Sequence, residues 1–350
     1  MNTEILRPTS SADFARAAAM IRSGALVAFP TETVYGLGAN GLDAAACARI
    51  YAAKGRPSDN PLILHIADLS MAHEVASDVP PTAAHLLTAF APGPLTVILP
   101  KAAHIPDIVT GGLATVGVRC PDHDVARKLI RAAGVPIAAP SANTSGRPSP
   151  TSAAMVYADM AGRIPLILDG GSCRLGVESA IVDCTEGDIV TILRPGAVTR
   201  EMIAAELPHI EVRMDAALMA ADEAPRAPGM KYTHYAPCAP LTVYVGTGTA
   251  VAAALREEIL RRTAAGERPA VIASNETLTV LHDIVPAAHT YNCGARGNHS
   301  AFASCLYDAL RHFDDMPVTS LIAEGTATVG LGTAIMNRLR KASGGDVRLV

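Results

Sequence analysis

The sequence contains no tryptophan, and aromatic residues make up only 4% of its 350 residues. Charged residues are also scarce at 18%, whereas apolar residues reach 49%. A chain of this composition can form well-packed cores and is not typical of disordered proteins. Because aromatic side chains are few, Ala, Val, Leu and Ile must fill those cores, which suits buried parallel strands covered by alanine-rich helices.

Long apolar runs and a strong net charge are absent as well. Residues 1–20 carry polar and charged side chains throughout and lack the apolar core of a signal peptide. No apolar run approaches the roughly 18 residues that a membrane-spanning helix needs. The formal net charge is -4, whereas a protein that holds nucleic acid through its overall field should be basic. We therefore expect a cytoplasmic protein with no membrane contact and no stable binding of nucleic acid.

Several common catalytic motifs are missing too. The seven cysteines include no C-x-x-C pair, and the eleven histidines are dispersed, so we predict neither a disulfide framework nor a protein-bound metal site. The sequence has no G-x-x-x-x-G-K-S/T, H-E-x-x-H or G-x-S-x-G motif, which argues against Walker-type ATPases and zinc proteases. Residues 36–41 match G-x-G-x-x-G but lack the strand-to-helix setting of a dinucleotide site. We interpret them as a turn with two flexible glycines.

Apolar runs alternate with alanine-rich stretches over the first 200 residues. This alternation predicts a large mixed sheet with helices packed against it. The predicted strands cover residues 25–29, 62–66, 95–99, 115–119, 136–139, 166–169, 180–183 and 189–193. The predicted helices cover residues 12–21, 44–53, 82–90, 124–132 and 151–160, and a short one follows near 200–206.

The composition and the periodicity of the sequence change after this first part of the chain. Residues 207–238 are rich in Pro and Ala with little periodicity, and we interpret them as a linker. A second alternation then predicts strands at 241–245, 270–274 and 320–324, with helices near 251–262, 301–313 and 334–341. We therefore expect a first domain over residues 1–206, a linker or lid over 207–238, and a small Rossmann-like three-layer α/β domain over 239–350.

Five segments carry polar residues where predicted core strands end. In one-letter code they are FPTETVYGLG at 29–38; KGRP at 54–57 with NPL at 60–62 and then His65; TVGVRCP at 115–121; APSANTSG at 139–146 running on to SPT at 149–151; and GVESAIVD at 176–183, followed by RPG at 194–196.

These residues suit a nucleotide and an amino acid. Lys54 and Arg56 are two positions apart, so we expect an extended segment with both cations on one side, ready for phosphates. Arg194 adds a third cation. Arg119 can bind a carboxylate through two parallel hydrogen bonds. Neutral side chains elsewhere in the segments can serve the remaining polar groups of a small substrate, although each alone would fit a structural role equally well.

In this order and at compatible spacing, the five segments closely resemble the Sua5/YrdC family of threonylcarbamoyl-AMP synthases, over about residues 10–205. The segment PGMKYTHYAP at 228–237 and the tail resemble the longer, two-domain Sua5 form. The resemblance implies a YrdC-like catalytic domain and an ATP-dependent nucleotidyltransferase. Its reaction would join L-threonine, bicarbonate and ATP into threonylcarbamoyl-AMP and pyrophosphate. The product would serve tRNA processing, as the precursor of N6-threonylcarbamoyladenosine (t6A) at position 37 of tRNAs that read ANN codons.

The resemblance also implies roles for individual residues. The L-threonine pocket would be formed by Thr33, His65, Arg119, Ser179 and the backbone of Ala139. The ATP site would be formed by Arg56, Asn60, Thr115, Ser141, Asn143, Ser149, Arg194 and His234. Lys54 and Arg56 would be catalytic through electrostatic stabilisation, with Lys54 and Asn143 in the phosphate and bicarbonate region.

Other expectations follow from the same resemblance. Tyr232 and Tyr235, with His234, would form a lid over the site. Mg²⁺ would accompany ATP and be held mainly by the nucleotide. The product would pass to the tRNA threonylcarbamoyl transferase machinery. The sequence departs from the family at Ala180, where a threonine often follows the serine, so a role for that second hydroxyl is not expected here.

Two alternatives stay open from the sequence. The same module occurs in carbamoyl-transferring proteins of hydrogenase maturation, but those carry zinc-finger-like and acylphosphatase-like segments that are not visible here. A non-catalytic RNA-binding module is the other alternative, because a cationic groove can hold a phosphate backbone. The net negative charge and the scarcity of aromatic residues for base stacking disfavour it.

Overall fold

The computed structural model describes residues 1–218 and 234–350. By its contacts the chain divides into two compact units. Unit 1 comprises Met1–Ser145 and Ser149–Tyr232, and unit 2 comprises Gly146–Pro148 and Thr233–Val350. Within the described residues, no helix is both long and apolar enough to cross a membrane.

Unit 1 is built on a large mixed sheet, as predicted, although the sheet has 11 strands rather than the eight that the sequence indicated. Its strands are β1 (Glu4–Leu6), β2 (Val27–Phe29), β3 (Gly36–Asn40), β4 (Ile63–His65), β5 (Leu95–Pro100), β6 (Thr115–Arg119), β7 (Ile137–Ala139), β8 (Leu166–Leu168), β9 (Ala180–Glu186), β10 (Ile189–Arg194) and β11 (Glu211–Met214). Their order across the sheet is β1-β8-β2-β3-β7-β4-β6-β5-β9-β10-β11.

Helices of unit 1 follow the predicted alternation. They are α1 (Ser11–Arg22), α2 (Ala44–Lys54), α3 (Ala72–Val75), α4 (Pro81–Phe90), α5 (Asp107–Thr110), α6 (Asp124–Ala133), α7 (Ala153–Met160) and α8 (Arg200–Glu206). Side-chain caps explain several of the starts: Ser10 and Asp13 form a capping box on α1, and Asp43 accepts two backbone N–H bonds at the start of α2. The buried core is almost entirely aliphatic, as the composition requires.

The glycine-rich segment at residues 36–41 is not the turn that we expected. Residues Gly36–Asn40 form strand β3, which is antiparallel to β2 and to β7, and Gly41 follows it in a turn. A Cβ atom on Gly38 would lie 2.8 Å from Cγ2 of Ile137 and 2.8 Å from Cε1 of Phe29. The glycines are therefore explained by close packing against neighbouring strands rather than by flexibility.

Strand β11 corrects a second expectation. Residues 211–214 fall inside the segment that we interpreted as a linker, yet they pair in parallel with β10, from Ile189–Glu211 to Ile192–Met214. Val212 is buried, so this short strand belongs to the packed sheet of unit 1. The low periodicity around it concealed the strand because a four-residue edge strand needs only one inward-facing side chain.

Unit 2 contains a five-stranded parallel sheet, in agreement with the predicted Rossmann-like domain. Its strands are β12 (Leu241–Val245), β13 (Pro269–Ala273), β14 (Thr290–Asn292), β15 (Ser320–Glu324) and β16 (Val347–Leu349), in the order β14-β13-β15-β12-β16. Its helices are α9 (Gly248–Ala264), α10 (Asn275–Leu281), α11 (His299–His312) and α12 (Leu331–Ala342). Helix α9 packs on α10, and α11 packs on α12.

The short segment Gly146–Pro148 also belongs to unit 2. The guanidinium of Arg147 pairs with Asp314 at 2.5 Å, and Nε of Arg311 donates to the carbonyl of Pro148 at 3.0 Å. The backbone N–H of Ala236 donates to Gly146. These bonds account for the grouping of three residues with a unit that otherwise begins more than 80 positions later.

Candidate functional site

The predicted threonine-binding residues gather around the ends of two neighbouring strands. His65 ends β4 and Arg119 ends β6, and the two are partners in a parallel pair. The guanidinium of Arg119 donates to the hydroxyl of Thr33 at 2.9 Å. All three side chains are buried, with Arg119 only 4% exposed. The structure thus brings Thr33, His65 and Arg119 together in unit 1, as a pocket for a small polar ligand requires.

The hydroxyl of Thr33 has a defined hydrogen-bonding direction. Thr31 donates its hydroxyl proton to the carbonyl of Val34 at 2.6 Å, so it can only accept from Thr33, whose hydroxyl lies 2.8 Å away. Thr33 in turn accepts from Arg119. One lone pair is left on Thr33, so this hydroxyl is an acceptor for a ligand and not a donor.

Burial keeps His65 neutral. Removal from solvent, with the nearby charge of Arg119 as a second cause, lowers the pKa of His65 to about 3. Nδ1 lies 3.2 Å from the carbonyl of Ile63, an acceptor only, so Nδ1 carries the proton. The other ring nitrogen then keeps its lone pair, which suits the hydroxyl of a ligand.

Glu32 is a site residue that the sequence reasoning did not single out. Its Oε2 lies 2.8 Å from Nη2 of Arg119, and the side chain is 2% exposed. Although the pair is this close, its geometry gives no hydrogen bond to either oxygen of Glu32 from the residues in the described ranges. The signal available in the sequence was a glutamate between two threonines directly after a buried strand.

Ser179 is held from two sides. Its hydroxyl lies 2.8 Å from that of Thr96, and Arg194 donates to its hydroxyl at 3.2 Å and to its carbonyl at 3.1 Å. Arg194, predicted for the nucleotide, is therefore bonded to a residue predicted for threonine. Thr96 was missed by the sequence reasoning, although it is the one polar side chain in the buried strand LTVILP of β5.

Lys54 and Arg56 do not form the extended pair that we expected. Lys54 is the last residue of helix α2, and Gly55 follows in the left-handed conformation with φ of 62°. The ammonium of Lys54 is buried and donates to the carbonyls of Ser141 and Asn143, at 2.6 and 2.5 Å. The glycine ends the helix and turns the chain, so Lys54 and Arg56 do not share one extended segment. Lys54 thereby fixes the loop after β7.

Arg56 binds its own loop. Its guanidinium donates to the carbonyls of Asn60 at 3.3 Å and Pro61 at 3.0 Å, and it is half-buried. Asn60 is buried, and its carboxamide oxygen accepts no hydrogen bond from the described residues. Thr115, the first residue of β6, lines a cleft together with Pro61 and Leu113. These three predicted nucleotide contacts therefore lie around one small region of unit 1.

The remaining predicted nucleotide contacts of unit 1 are fixed by short hydrogen bonds. Ser141 donates to the side-chain oxygen of Asn143 at 2.5 Å, and Ser149 donates to Glu178 at 2.5 Å. Glu178 was not predicted, and it directly precedes Ser179 in the chain. Ala139 ends β7 and pairs with Ile63, so its backbone is fixed within the sheet next to β4.

The predicted lid residues fall in unit 2 or outside the described residues. Tyr232 lies among residues 219–233, outside the description. Tyr235 stacks on Tyr307 with ring centroids 5.2 Å apart, and the ring centroids of His234 and Tyr235 are 5.5 Å apart. Tyr235 has a φ of 67°, which is unfavourable for a bulky side chain and is held here by the packing.

The donors of the site suit anions more than cations. In residues 1–218 and 234–350 no cluster of three or more His, Cys, Asp or Glu side chains could hold a metal ion. The predicted nucleotide contacts are instead hydroxyls, amides and cations. Such a set fits anionic groups such as phosphates.

Two family profiles together match most of the chain. A profile described as "Telomere recombination", with the family name Sua5_yciO_yrdC, matches residues 19–196. A profile described as "Threonylcarbamoyl-AMP synthase, C-terminal domain" matches residues 198–344.

Curated relatives extend over almost the same length. Threonylcarbamoyl-AMP synthase of Bacillus subtilis is 47% identical, covering 97% of this chain and 95% of its own. That of Pyrococcus abyssi is also 47% identical, covering 94% and 93%. Threonylcarbamoyl-AMP synthase of Schizosaccharomyces pombe is 39% identical and covers 91% and 84%.

Solved structures agree with these relatives. P. abyssi Sua5 complexed with L-threonine matches with a TM-score of 0.93 and 44% identity, over 100% of both chains. A variant of P. abyssi Sua5 with a histidine and a tyrosine replaced by alanine matches with a TM-score of 0.92 and 43% identity, over 99% and 98%. From both profiles and from relatives that match along their whole length, the chain belongs to the Sua5/YrdC family, in its two-domain form.

Proposed function

We propose that the chain is an L-threonylcarbamoyladenylate synthase, which converts L-threonine, bicarbonate and ATP into threonylcarbamoyl-AMP and pyrophosphate. The observation that carries the proposal is the full-length likeness, at 44% identity, to a Sua5 structure complexed with L-threonine. The buried cluster of Thr33, His65 and Arg119 supports it, because it offers a carboxylate-binding guanidinium beside two neutral acceptors.

L-Threonine would bind through its carboxylate and its hydroxyl. Arg119 supplies N–H donors to the carboxylate. The neutral ring of His65 and the hydroxyl of Thr33 accept the substrate's hydroxyl proton or an N–H. A site that must satisfy buried acceptors discriminates strongly against valine, which lacks the hydroxyl. Serine differs by one methyl group, worth only about 1–3 kcal/mol, and is the stronger competitor.

The reaction then proceeds in two steps. The amine nitrogen of threonine forms a bond to the carbon of bicarbonate, or of CO2 derived from it, and gives N-carboxy-threonine with release of water where bicarbonate reacts. The new carboxylate attacks the α-phosphorus of ATP, and pyrophosphate leaves. Neither of these two steps requires a covalent enzyme intermediate. The protein would act by positioning and by electrostatic stabilisation of developing charge.

Residues of unit 1 would contact the nucleotide directly. Arg56 and Arg194 would supply cations, and Ser141, Asn143 and Ser149 would supply polar contacts. Lys54, whose ammonium is bonded to two carbonyls, would act by holding the loop that carries Ser141 and Asn143 and by adding its charge. Mg²⁺ would enter with ATP and neutralise triphosphate charge.

The linker is proposed to close over the site during the reaction. Carbamates decompose in water, so a cover that excludes solvent protects the intermediate. The stack of Tyr235 on Tyr307 would anchor one end of that cover on unit 2. Threonylcarbamoyl-AMP would then pass to the tRNA-modifying transferase machinery.

The test is pyrophosphate release by purified protein with ATP and Mg²⁺. We expect release to depend on both L-threonine and bicarbonate, with serine competing more strongly than valine, and to fall strongly in Arg56→Ala. Release that ignores threonine and bicarbonate would contradict the proposal, as would salt-sensitive RNA binding without any release.

A further inference from the structure

The carboxylate of Glu32 is buried without a hydrogen-bond donor among the described residues. The side chain is 2% exposed, and neither oxygen accepts a hydrogen bond from residues 1–218 or 234–350. A carboxylate removed from water is strongly unfavourable unless a counter-charge and donors compensate it. Arg119 supplies the counter-charge at 2.8 Å, but its N–H bonds are not aligned with the carboxylate. Glu32 therefore has an unused accepting capacity inside the site.

Arg119 is fixed beside this carboxylate by other contacts. Its Nη2 donates to Thr33 at 2.9 Å, and its Nε points to the carbonyl of Gly93 at 3.4 Å. A guanidinium has five N–H donors, so further ones stay available to a ligand. The positive and the negative group thus lie side by side at fixed positions, and the pair has no net charge.

This arrangement is complementary to a zwitterion. We propose that Glu32 and Arg119 form a two-charge anchor for the backbone of a free α-amino acid, in which Arg119 takes the carboxylate and Glu32 takes the α-ammonium. The inference rests on the proposed function and adds a specificity-determining residue to it. An α-ammonium has three N–H donors, and a single carbon separates its nitrogen from the carboxyl group. Its two charges are therefore as close to each other as those of the anchor.

The anchor has a consequence for selectivity. A hydroxy acid offers Glu32 one O–H donor in place of three N–H donors and carries no positive charge, so the buried carboxylate keeps only part of its compensation. Hydroxy acids of the same shape should therefore bind more weakly than the amino acid. Glu32 would also hold the nitrogen at a defined place, and the ammonium must transfer one proton to this carboxylate to become the amine that attacks the carbon of bicarbonate.

The experiment compares two ligands in the absence of ATP. One is L-threonine, and the other is its hydroxy-acid analogue, in which a hydroxyl replaces the ammonium. Isothermal titration calorimetry gives both dissociation constants for the wild type, for Glu32→Gln and for Glu32→Asp. The control is Glu258→Gln, which also neutralises a buried carboxylate paired with arginines, but in unit 2.

We expect the wild type and Glu258→Gln to prefer L-threonine by about tenfold or more, since hydrogen bonds to charged groups have this magnitude. Glu32→Gln should reduce the preference to about threefold or less by weakening threonine alone. Glu32→Asp keeps the charge and should retain a clear preference.

Other results would overturn the anchor. Equal affinity of the wild type for both ligands would mean that no group in the site receives the ammonium, and this arm requires no variant to fold. Equal weakening of both ligands by Glu32→Gln would mean that Glu32 acts only by orienting Arg119. Absence of L-threonine binding by the folded wild type would instead contradict the proposed function itself.

Discussion

Lys54 and Asn143 are bonded across 89 positions of the sequence: Nζ donates to the backbone carbonyl of Asn143 at 2.5 Å and also approaches its side-chain oxygen at 3.5 Å. The same ammonium donates to Ser141. Lys54 therefore links the end of helix α2 to the loop after β7. It positions Ser141 and Asn143, which were predicted to bind the nucleotide. This separates the roles of Lys54 and Arg56, which the sequence placed together.

Lys54→Met should reduce both stability and activity. It leaves two buried carbonyls without a donor, and each such group costs about 1–3 kcal/mol. Arg56 is half-buried, so Arg56→Met should change the free energy of unfolding by less than about 1 kcal/mol while lowering synthesis as strongly. Urea unfolding and pyrophosphate release measure the two effects. Equal loss of stability in both variants would contradict the distinction.

The low pKa of His65 predicts the pH dependence of stability. His65 has a pKa of about 3 in the folded state, whereas its ordinary value is 6.5. The unfolded chain therefore binds the proton first as the pH falls. The contribution of His65 to the free energy of unfolding should therefore be full above about pH 6.5 and should decline as the pH falls towards 3. His65→Gln should show a smaller decline, measured by urea unfolding at about pH 7.5 and about pH 5. An equal decline in both proteins would exclude His65 as a source.

The hydroxyl pair of Thr96 and Ser179 predicts a threonine-specific defect. Thr96→Val keeps the shape but removes the partner of the Ser179 hydroxyl, at a cost of about 1 kcal/mol in stability. KM for L-threonine should rise more than KM for ATP, because Ser179 loses its orientation. Thr96→Ser keeps a hydroxyl and serves as the control. A selective rise in KM for ATP would contradict the assignment of Ser179.

Gly38→Ala should destabilise the protein by about 1–3 kcal/mol, the range for overpacked cores. The added Cβ would meet the side chains of Ile137 and Phe29 at 2.8 Å. Combining it with Ile137→Ala removes one of the two clashes, so the double variant should be more stable than the sum of the single effects. Additive effects in thermal unfolding would mean that the glycine is not required by close packing.

The stack of Tyr235 on Tyr307 in unit 2 predicts a role for Tyr307 in the proposed lid. Tyr307→Ala removes the ring that holds Tyr235 in its unfavourable φ of 67°. Synthesis of threonylcarbamoyl-AMP should fall while unit 1 keeps its affinity for L-threonine, and Tyr307→Phe should retain more activity because it keeps a ring. Unchanged turnover in Tyr307→Ala would contradict the proposed lid.

The regular elements could be predicted because local pattern and tertiary structure agree in them. Strand β6 occupies the residues 115–119 that were predicted, and α2 extends the predicted 44–53 by one residue. β3 was missed because two glycines resemble a turn in sequence, whereas the packing that requires them is set by Phe29 and Ile137 from elsewhere in the chain.

Contacts between distant residues account for what the sequence concealed in the site. The family motifs indicated Arg119 and Thr33. A role for the carboxylate of Glu32 follows only from its position beside Arg119 in the folded protein. Thr96 and Glu178 likewise acquire a role through Ser179 and Ser149, each many positions away. Spacing along the chain cannot reveal such pairs, because the fold alone brings them together.

The two hydrogen bonds from Arg194 to Ser179 have a consequence for how the ligands influence each other. Arg194 is proposed to meet the nucleotide and Ser179 the amino acid, so a movement of either side chain is felt by the other. Cooperativity between two ligands is reciprocal: whatever factor ATP imposes on threonine affinity, threonine imposes on ATP affinity. Any coupling through this pair would therefore change the affinities for both substrates by one common factor between their separate complexes and the ternary complex.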